Sequence, residues 1–169
     1  MEKRKINVSF ESVLVLLLLI VFAVSIALII VAGNKSYNSI IAHKEKEENA
    51  RIALSFIKMR VKQNDVQGKI TVQDNAVEGK AALVIVHTDS EEGYITYIFP
   101  YKDALWECYT DVKTKPTINL SNKVADIKDF KVSLNENLLI VKLAYEYNNK
   151  TTNITDSIAI RSFKAEVAR

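Results

Sequence analysis

The sequence predicts an α+β protein with a long N-terminal helix packed on a C-terminal antiparallel β-sheet. Three observations lead to this fold class. A stretch near the N-terminus is almost wholly apolar, the next stretch repeats its apolar residues at helical spacing, and the remainder alternates apolar and polar residues with a period of two. Since no long helical pattern separates the alternating segments, we expect their strands to pair antiparallel rather than through βαβ crossovers.

The composition divides the chain into two chemical regimes. Of the 20 residues at 13–32, 19 are apolar and Ser25 alone interrupts them, whereas hydrophobic residues make up 49% of the 169-residue chain. A single such stretch excludes a polytopic membrane protein. The one cysteine, Cys108, excludes an internal disulfide. A formal net charge of +3 gives little support for nucleic-acid binding.

The apolar stretch at 13–32 predicts a transmembrane helix. Its 20 residues rise by about 1.5 Å each, which gives about 30 Å, the thickness of the hydrocarbon core of a bilayer. Lys3, Arg4 and Lys5 precede it. The positive-inside rule therefore predicts a cytoplasmic N-terminus at 1–12 and an extracytoplasmic chain after Gly33. We expect a single-pass protein of the cell membrane, with the lipid bilayer as a partner.

A cleaved signal peptide is the alternative interpretation of the same stretch. The sequence V-A-G at 31–33 is small enough for a signal-peptidase site. The apolar core of a signal peptide has about 7–15 residues, so the length of this stretch favours a retained helix.

Glu11 stands one residue before the apolar stretch. A carboxylate at the boundary of the hydrocarbon is unfavourable unless it is paired or reaches water. Two interpretations stay open. Glu11 is either an interfacial residue stabilised by the dipole of the helix N-terminus, or a membrane-entry charge that packs against a neighbouring subunit.

Residues 33–66 predict an amphipathic helix that continues outside the membrane. Gly33 is the only glycine before Gly68, and no proline precedes Pro100, so nothing stops a helix between about residues 10 and 64. Apolar residues recur at the spacing of one helix face: Ala50, Ala53, Leu54, Ile57 and Val61.

Residues 67–169 predict an antiparallel sheet domain. Strand patterns occur at 70–73, 81–86, 94–99, 126–134, 138–147 and 154–160. Turn-forming residues at 89–93, 135–137 and 148–150 predict hairpin connections.

The order of these segments resembles that of type IV pilin-like proteins. The segment A-R-I-A-L-S-F-I at 50–57, with V-K-Q-N-D at 61–65, is similar to the helix end of minor pseudopilins, and residues 127–161 are similar to the last strands of the pseudopilin J and ComGF group. Residues 50–161 also resemble an uncharacterised bacterial family, domain of unknown function 4860. That resemblance rests on A-L-S-F-I at 53–57, Q-N-D at 63–65, Y-I-T-Y-I-F at 94–99 and A-L-W-E at 104–107.

The N-terminus departs from the pilin pattern. Pilin precursors are cut after a small residue, five residues before a membrane-entry glutamate. If Glu11 is that glutamate, the cut would fall between Ile6 and Asn7, and Ile6 is not small. Cleavage by a prepilin peptidase, cleavage by signal peptidase and an uncut N-terminus therefore remain alternatives.

The sequence contains no pattern typical of catalysis or of metal and cofactor binding. It lacks H-x-x-x-H, C-x-x-C, G-x-S-x-G and Gly-rich phosphate-loop spacings. The acidic turn at 89–92 lacks the alternating ligand positions of an EF-hand. We expect His43 to be solvated, His87 to cap a strand and Cys108 to be a buried or half-buried free thiol. We expect no enzyme activity, no cofactor, no metal ion, no small-molecule substrate and no directly bound nucleic acid.

Aromatic residues concentrate between residues 94 and 109. On a strand at 94–101, Tyr97, Phe99 and Tyr101 share one face, and Trp106 follows on the next strand. Core packing is the simpler interpretation. Because both faces of this strand are apolar, however, Tyr97, Phe99, Tyr101 and Trp106 are also a candidate partner surface.

Two functions fit these observations. The first, implied by the resemblance, is a minor pseudopilin-like structural subunit of a pilus, secretion or DNA-uptake machine, with other pilin-like subunits or envelope proteins as partners. The second is a tethered extracytoplasmic domain that binds a peptide, a glycan or another envelope protein and enters no filament.

Overall fold

The computed structural model describes residues 10–161. In that range the chain forms one long α-helix and eight β-strands, with short 3-10 turns at Asp89–Glu91 and Ile118–Leu120. The chain divides into two units between Ala42 and His43, inside the segment predicted as the amphipathic helix. All eight strands of the described residues belong to the second unit.

Helix α1 spans Phe10–Gln63, which agrees closely with the predicted limits. It contains one glycine, Gly33, and no proline, so the sequence offers no residue that must break its hydrogen-bond ladder. Just after the helix, the side-chain amide of Asn64 donates to the carbonyl oxygen of Arg60 at 2.9 Å. This bond satisfies one of the carbonyl groups that a helix end leaves without an intrahelical donor.

The first sheet contains five antiparallel strands in sequence order. They are β1 (Ile70–Val77), β2 (Lys80–Val86), β3 (Tyr94–Tyr101), β4 (Ala104–Asp111) and β5 (Ser121–Asp126). The two-residue turns after β1 and β3 have positive φ at both positions, 49° and 71° at Glu78 and Gly79, and 46° and 55° at Lys102 and Asp103. Such turns match the twist of the flanking strands, so short local turns set the register of these hairpins.

The second sheet contains three antiparallel strands, β6 (Asp129–Asn135), β7 (Leu138–Tyr147) and β8 (Lys150–Ala159). The chain changes sheet over two residues. The amide of Ile127 donates to the Asp103 carbonyl at 3.0 Å, and the amide of Lys128 donates to the Ala144 carbonyl at 2.7 Å. Successive amides thus bond to different sheets, which fixes the point of transfer.

The main hydrophobic core lies between the distal part of α1 and strands of both sheets. From the helix, Ala53, Ile57 and Val61 enter this core, and none is more than 1% exposed. Their spacing is that of the predicted apolar stripe, so the helix face read from the sequence is the face that packs. The strands contribute Ile70, Leu83, Ile85, Ile98, Leu105, Phe130, Leu139, Val141, Leu143 and Ile158.

A smaller core forms on the opposite face of the first sheet. Its buried members are Val77, Ala82, Val84, Ile95, Phe99 and Cys108. Ile118, from the connection between β4 and β5, packs against them. Strand β3 therefore contributes to a core on each face, with Ile98 on one side and Phe99 on the other.

The predicted α+β class is confirmed, since one long N-terminal helix precedes strands that pair antiparallel. The sheet is divided in two, which the sequence analysis did not predict. Strand β5 is not among the predicted strands, because its sequence, S-N-K-V-A-D, is mostly polar; its place is set by pairing with β4. Its last residue, Asp126, belongs to the predicted strand at 126–134, which in the structure begins at Asp129 as β6.

Candidate membrane segment and partner surfaces

The apolar stretch of α1 is exposed along its whole length. Every residue from Phe10 to Ala42 is exposed, and the large apolar side chains at 13–31 are between 43% and 70% exposed. A helix that is apolar on all sides is stable only where something other than water surrounds it. Within residues 10–161, α1 is the one helix long and apolar enough to be a candidate membrane span.

Ser25 is the one polar residue within the apolar stretch, and the charged residues of interest lie before it. The hydroxyl of Ser25 donates to the carbonyl oxygen of Val21 at 2.8 Å, so its hydrogen is satisfied within the helix, as hydrocarbon surroundings require. Glu11 is exposed in the first turn of the described helix. The predicted orientation signal, Lys3, Arg4 and Lys5, lies outside the described residues.

Two ion pairs join the distal part of α1 to the sheets. Arg60 donates from one Nη to Glu107 Oε2 at 3.1 Å, while its Nε is 2.8 Å from Glu107 Oε1 at an angle unsuitable for a hydrogen bond. The Arg60 guanidinium also lies 5.2 Å from the ring centre of Phe56. This pair connects α1 to β4 of the first sheet and fixes the rotation of the helix on it.

The second ion pair connects α1 to β8. Lys58 Nζ donates to Asp156 Oδ2 at 3.1 Å. This hydrogen bond holds the pKa of the Asp156 carboxyl below its usual value of 3.8, against the opposing effect of partial burial. Neither pair is evident from the sequence, because the partners are 47 and 98 residues apart.

The four aromatic residues proposed as a partner surface lie on one face of the first sheet, but they are not equally accessible. Phe99 is 0% exposed and belongs to the smaller core, so it contributes no surface. Tyr97, Tyr101 and Trp106 are half-buried around it. Trp106 Nε1 donates to the carbonyl oxygen of Tyr101 at 2.9 Å, which fixes the indole against the sheet.

Cys108 is a buried free thiol, as predicted. It lies opposite Tyr97 in the register of β3 and β4. Burial raises the pKa of the Tyr97 hydroxyl, and the neighbouring Cys108 raises it further. Both side chains therefore pack in the smaller core, Cys108 as a fully buried member and Tyr97 partly buried against it.

A second aromatic cluster occupies the helix-side face of the first sheet, the face that packs against α1 in the main core. The rings of Tyr94 and Tyr109 stack with centroids 5.1 Å apart and are 42% and 43% exposed. His87 meets Tyr109 edge-on at 5.3 Å. His87 is only 4% exposed. Its Nε2 is 2.7 Å from the hydroxyl of Thr96, and its Nδ1 is 2.8 Å from Glu91 Oε2. His87 thus packs against the Tyr109 ring and contacts Glu91 in the turn after β2, next to which it was predicted to act as a cap.

His43 is half-buried rather than solvated as predicted. Its ring lies 4.8 Å from that of Tyr147 and 6.0 Å from that of Tyr145. The sequence alone could not indicate this contact, because it brings together α1 and the end of β7.

The described residues contain clefts lined mainly by charged and amide groups. The cleft near Tyr145 has a volume of about 340 Å³. At its edge, Lys128 Nζ is 3.2 Å from Glu146 and 3.7 Å from Asp103. The Glu146 hydrogen bond first, and the Asp103 charge second, raise the pKa of the Lys128 ammonium. Within residues 10–161, no group of three or more His, Cys, Asp or Glu side chains is placed to hold a metal ion.

Comparison with known proteins gives one family. Residues 48–146 match the family described as Domain of unknown function (DUF4860). Neither curated proteins nor solved structures give a match. The family match begins in the distal part of α1 and ends within β7, so it covers the packed stripe of the helix, the whole first sheet and both aromatic clusters. Since this range is more than half of the 169 residues, the chain belongs to the DUF4860 family.

Proposed function

We propose that this protein is a single-pass, membrane-anchored structural subunit of the minor pseudopilin type. It would serve a bacterial envelope machine of the type IV pilus, type II secretion or competence kind. In this proposal residues 13–32 anchor the chain in the cell membrane, the N-terminus is cytoplasmic, and the sheets make contacts outside. The partners are the lipid bilayer and other pilin-like subunits or envelope proteins, and the protein performs no catalysis.

One observation carries the proposal. A single helix, α1, contains both the exposed apolar stretch and the stripe that enters the main core. A domain that only needs a tether has no use for this continuity, because a flexible linker would hold it at the membrane equally well. Continuity is useful in a subunit whose helix packs beside other helices. The similarity of residues 50–57 and 127–161 to minor pseudopilins supports the same reading.

The proposal is tested by asking what surrounds α1 in native membranes. A photo-crosslinking amino acid at position 22, where Phe22 is 62% exposed, should form adducts with proteins that have their own N-terminal apolar helix. Glu11→Ala should reduce these adducts while the protein remains in the membrane, because its carboxylate would pair with a neighbouring subunit. The matched control is Glu48→Gln, an exposed change on α1 beyond the apolar stretch. Adducts with lipid alone, or adducts that Glu11→Ala leaves unchanged, would contradict the proposal.

The alternative is a tethered extracytoplasmic binding domain that enters no filament. Ile6 favours it, since a pilin precursor would have a small residue before the cut. N-terminal sequencing of the membrane-extracted protein separates the two functions. A chain that begins at Asn7 supports the pilin-like subunit, whereas a chain that retains residues 1–6 supports the tethered domain.

A further inference from the structure

The cluster formed by Tyr94, Tyr109 and the surrounding carboxylates has the composition of a docking site. We name it the tyrosine–acid patch and define it as Tyr94, Tyr109, Asp89, Glu91, Glu92 and Asp111. All six residues are exposed. They come from the connection between β2 and β3 and from strands β3 and β4, so a paired sheet holds the two aromatic rings in place.

The patch is locally acidic in a nearly neutral domain. Residues 34–169 carry 20 basic and 18 acidic residues. Between residues 81 and 112, in contrast, six acidic residues accompany one basic residue, Lys102. Lys102 and the acidic Asp103 both lie in the turn at the far end of β3. Of the six acidic residues, Glu107 is paired with Arg60 and Asp103 with Lys128, and the other four are those of the patch. A concentration of one charge sign at an exposed site favours a partner of the opposite sign.

The carboxylates lie beside the rings rather than apart from them. Asp111 is opposite Tyr94 in the register of β3 and β4. Glu91 Oε2 lies 2.8 Å from His87 Nδ1, and the His87 ring meets Tyr109 edge-on, so Glu91 lies on the same side of the sheet as the rings. Partial burial raises the pKa of the Tyr109 hydroxyl, and the Glu91 charge adds to this rise. An aromatic surface next to carboxylates binds a guanidinium well, because the planar cation stacks on a ring while its N–H groups donate to oxygen.

A groove extends the patch toward the end of α1. It has a volume of about 200 Å³ and is lined by Gln63, Asn64, Val66, Val86, Thr88, Asp89, Ser90 and Glu91. Glu91 and Asp89 belong to both the groove and the patch. The side-chain amide of Gln63 offers a donor and an acceptor for the main chain of an extended segment, and the side chain of Asn64, whose Nδ2 already donates to Arg60, offers its carbonyl oxygen as an acceptor. The groove is therefore suited to the backbone of a peptide whose basic side chain lies on the tyrosines.

We propose that the tyrosine–acid patch and its groove bind an arginine-bearing segment of another protein. The basis is the juxtaposition of two exposed stacked tyrosines, flanking carboxylates and an amide-lined groove in one locally acidic region. This inference does not rest on the pilin-like function, since a tethered domain would use the same site. It assigns the partner-binding role to the helix-side face of the first sheet, rather than to the half-buried Tyr97, Tyr101 and Trp106.

The test uses the full chain in nanodiscs of uncharged lipid, with fluorescence anisotropy of a labelled peptide of alternating glycine and arginine. A citrulline peptide of the same shape but without charge, a glutamate peptide and a hexamer of N-acetylglucosamine complete the set. The arginine peptide should bind, added salt should weaken its binding, and the other three probes should not bind.

Substitutions in the patch locate the binding. Glu91→Gln, Asp111→Asn and Tyr94→Ser should each weaken binding about two- to fivefold, the size of one exposed ion pair or cation–π contact. Asp111→Asn is the variant safest for folding, because Asn can still accept the hydrogen bond from the Lys113 amide. Matched controls are Glu136→Gln and Asp74→Asn, exposed acidic residues outside the patch, which should leave binding unchanged.

Any of four results would overturn the inference. They are no binding of the arginine peptide, equal binding of the citrulline peptide, a loss of affinity in the control variants as large as in the patch variants, and binding of the N-acetylglucosamine hexamer alone, which would identify a glycan site. A thermal unfolding transition recorded by Trp106 fluorescence confirms that each variant is folded.

Discussion

The two ends of α1 share one secondary structure and bury their side chains in different ways. At 13–32 every side of the helix is apolar and every residue is exposed. At 50–61 one stripe is apolar, and Ala50, Ala53, Ile57 and Val61 are buried. The difference shows that the distribution of apolar residues around a helix, and not their presence, indicates what surrounds it. An apolar surface on all sides requires lipid or other helices, whereas a stripe requires a sheet of the same domain.

The largest expected effect comes from truncating the packed stripe. Ile57→Ala should lower the free energy of unfolding of the second unit by about 2–5 kcal/mol, because Ile57 is fully buried and the substitution leaves a cavity. The matched control is Ile30→Ala, where the side chain is 58% exposed, and it should leave that free energy unchanged. Denaturation of the full chain in detergent, followed by the fluorescence of Trp106, measures both. Equal effects at the two positions would remove the distinction between the two ends of α1.

A charge in the apolar stretch should act on membrane insertion instead of domain stability. Phe22→Lys should make insertion about 2.5–3.5 kcal/mol less favourable, the cost of a lysine near the centre of a membrane helix. Phe22→Leu keeps the stretch apolar and should insert like the original chain. The measurement is the ratio of inserted to uninserted chain, from which the apparent free energy of insertion follows. If Phe22→Lys and Phe22→Leu give the same free energy of insertion, residues 13–32 are not surrounded by hydrocarbon.

The ion pair between Arg60 and Glu107 should contribute less than the apolar stripe. A double-mutant cycle of Arg60→Ala and Glu107→Ala should give a coupling energy of about 1.5–3 kcal/mol, the range for a hydrogen bond to a charged group. The cycle is necessary because Arg60 also lies over the ring of Phe56, and that contact would otherwise be counted with the ion pair. A coupling energy near zero would show that the pair does not fix the helix on the first sheet.

The smallest effect is expected from Lys58 and Asp156, whose side chains are 43% and 31% exposed. Exposed pairs contribute about 0.2–1 kcal/mol. Since the hydrogen bond from Lys58 lowers the folded-state pKa of Asp156 below 3.8, the contribution is present at neutral pH. It is lost as the pH falls below 3.8 and through the lower folded value. Asp156→Asn should therefore reduce stability at pH 7 and flatten its decline below about pH 4. Asp74→Asn, an exposed change in the first sheet, should not flatten the decline in the same way.

Much of the fold could be predicted because its signals are local. The extent of α1 follows from the absence of glycine and proline between residues 34 and 63, and its packed face follows from the spacing of Ala53, Ile57 and Val61. Clear alternation or β-branched runs also predict four of the strands, β1, β2, β3 and β7. The division into two sheets could not be predicted, because a period of two shows that a segment is a strand but not which strand it joins.

The candidate partner surfaces were less predictable, because they depend on which strands pair and on how the helix lies on them. The apolar pattern of β3 indicated two covered faces, and the sequence could not show that Phe99 is covered by the chain's own smaller core. The stack of Tyr94 on Tyr109 depends on the pairing of β3 with β4, and the contact of Arg60 with Glu107 depends on how α1 lies on the sheet. Each of these contacts exists only after the strands are in register.

The proposed function requires that residues 13–32 remain in the protein and hold it in the membrane. N-terminal sequencing of the protein after membrane fractionation tests this claim most directly. We expect a chain that resists an alkaline wash and begins at or before Asn7, so that the whole apolar stretch is retained. A mature chain that begins near Gly33 and is recovered in the soluble fraction would contradict it.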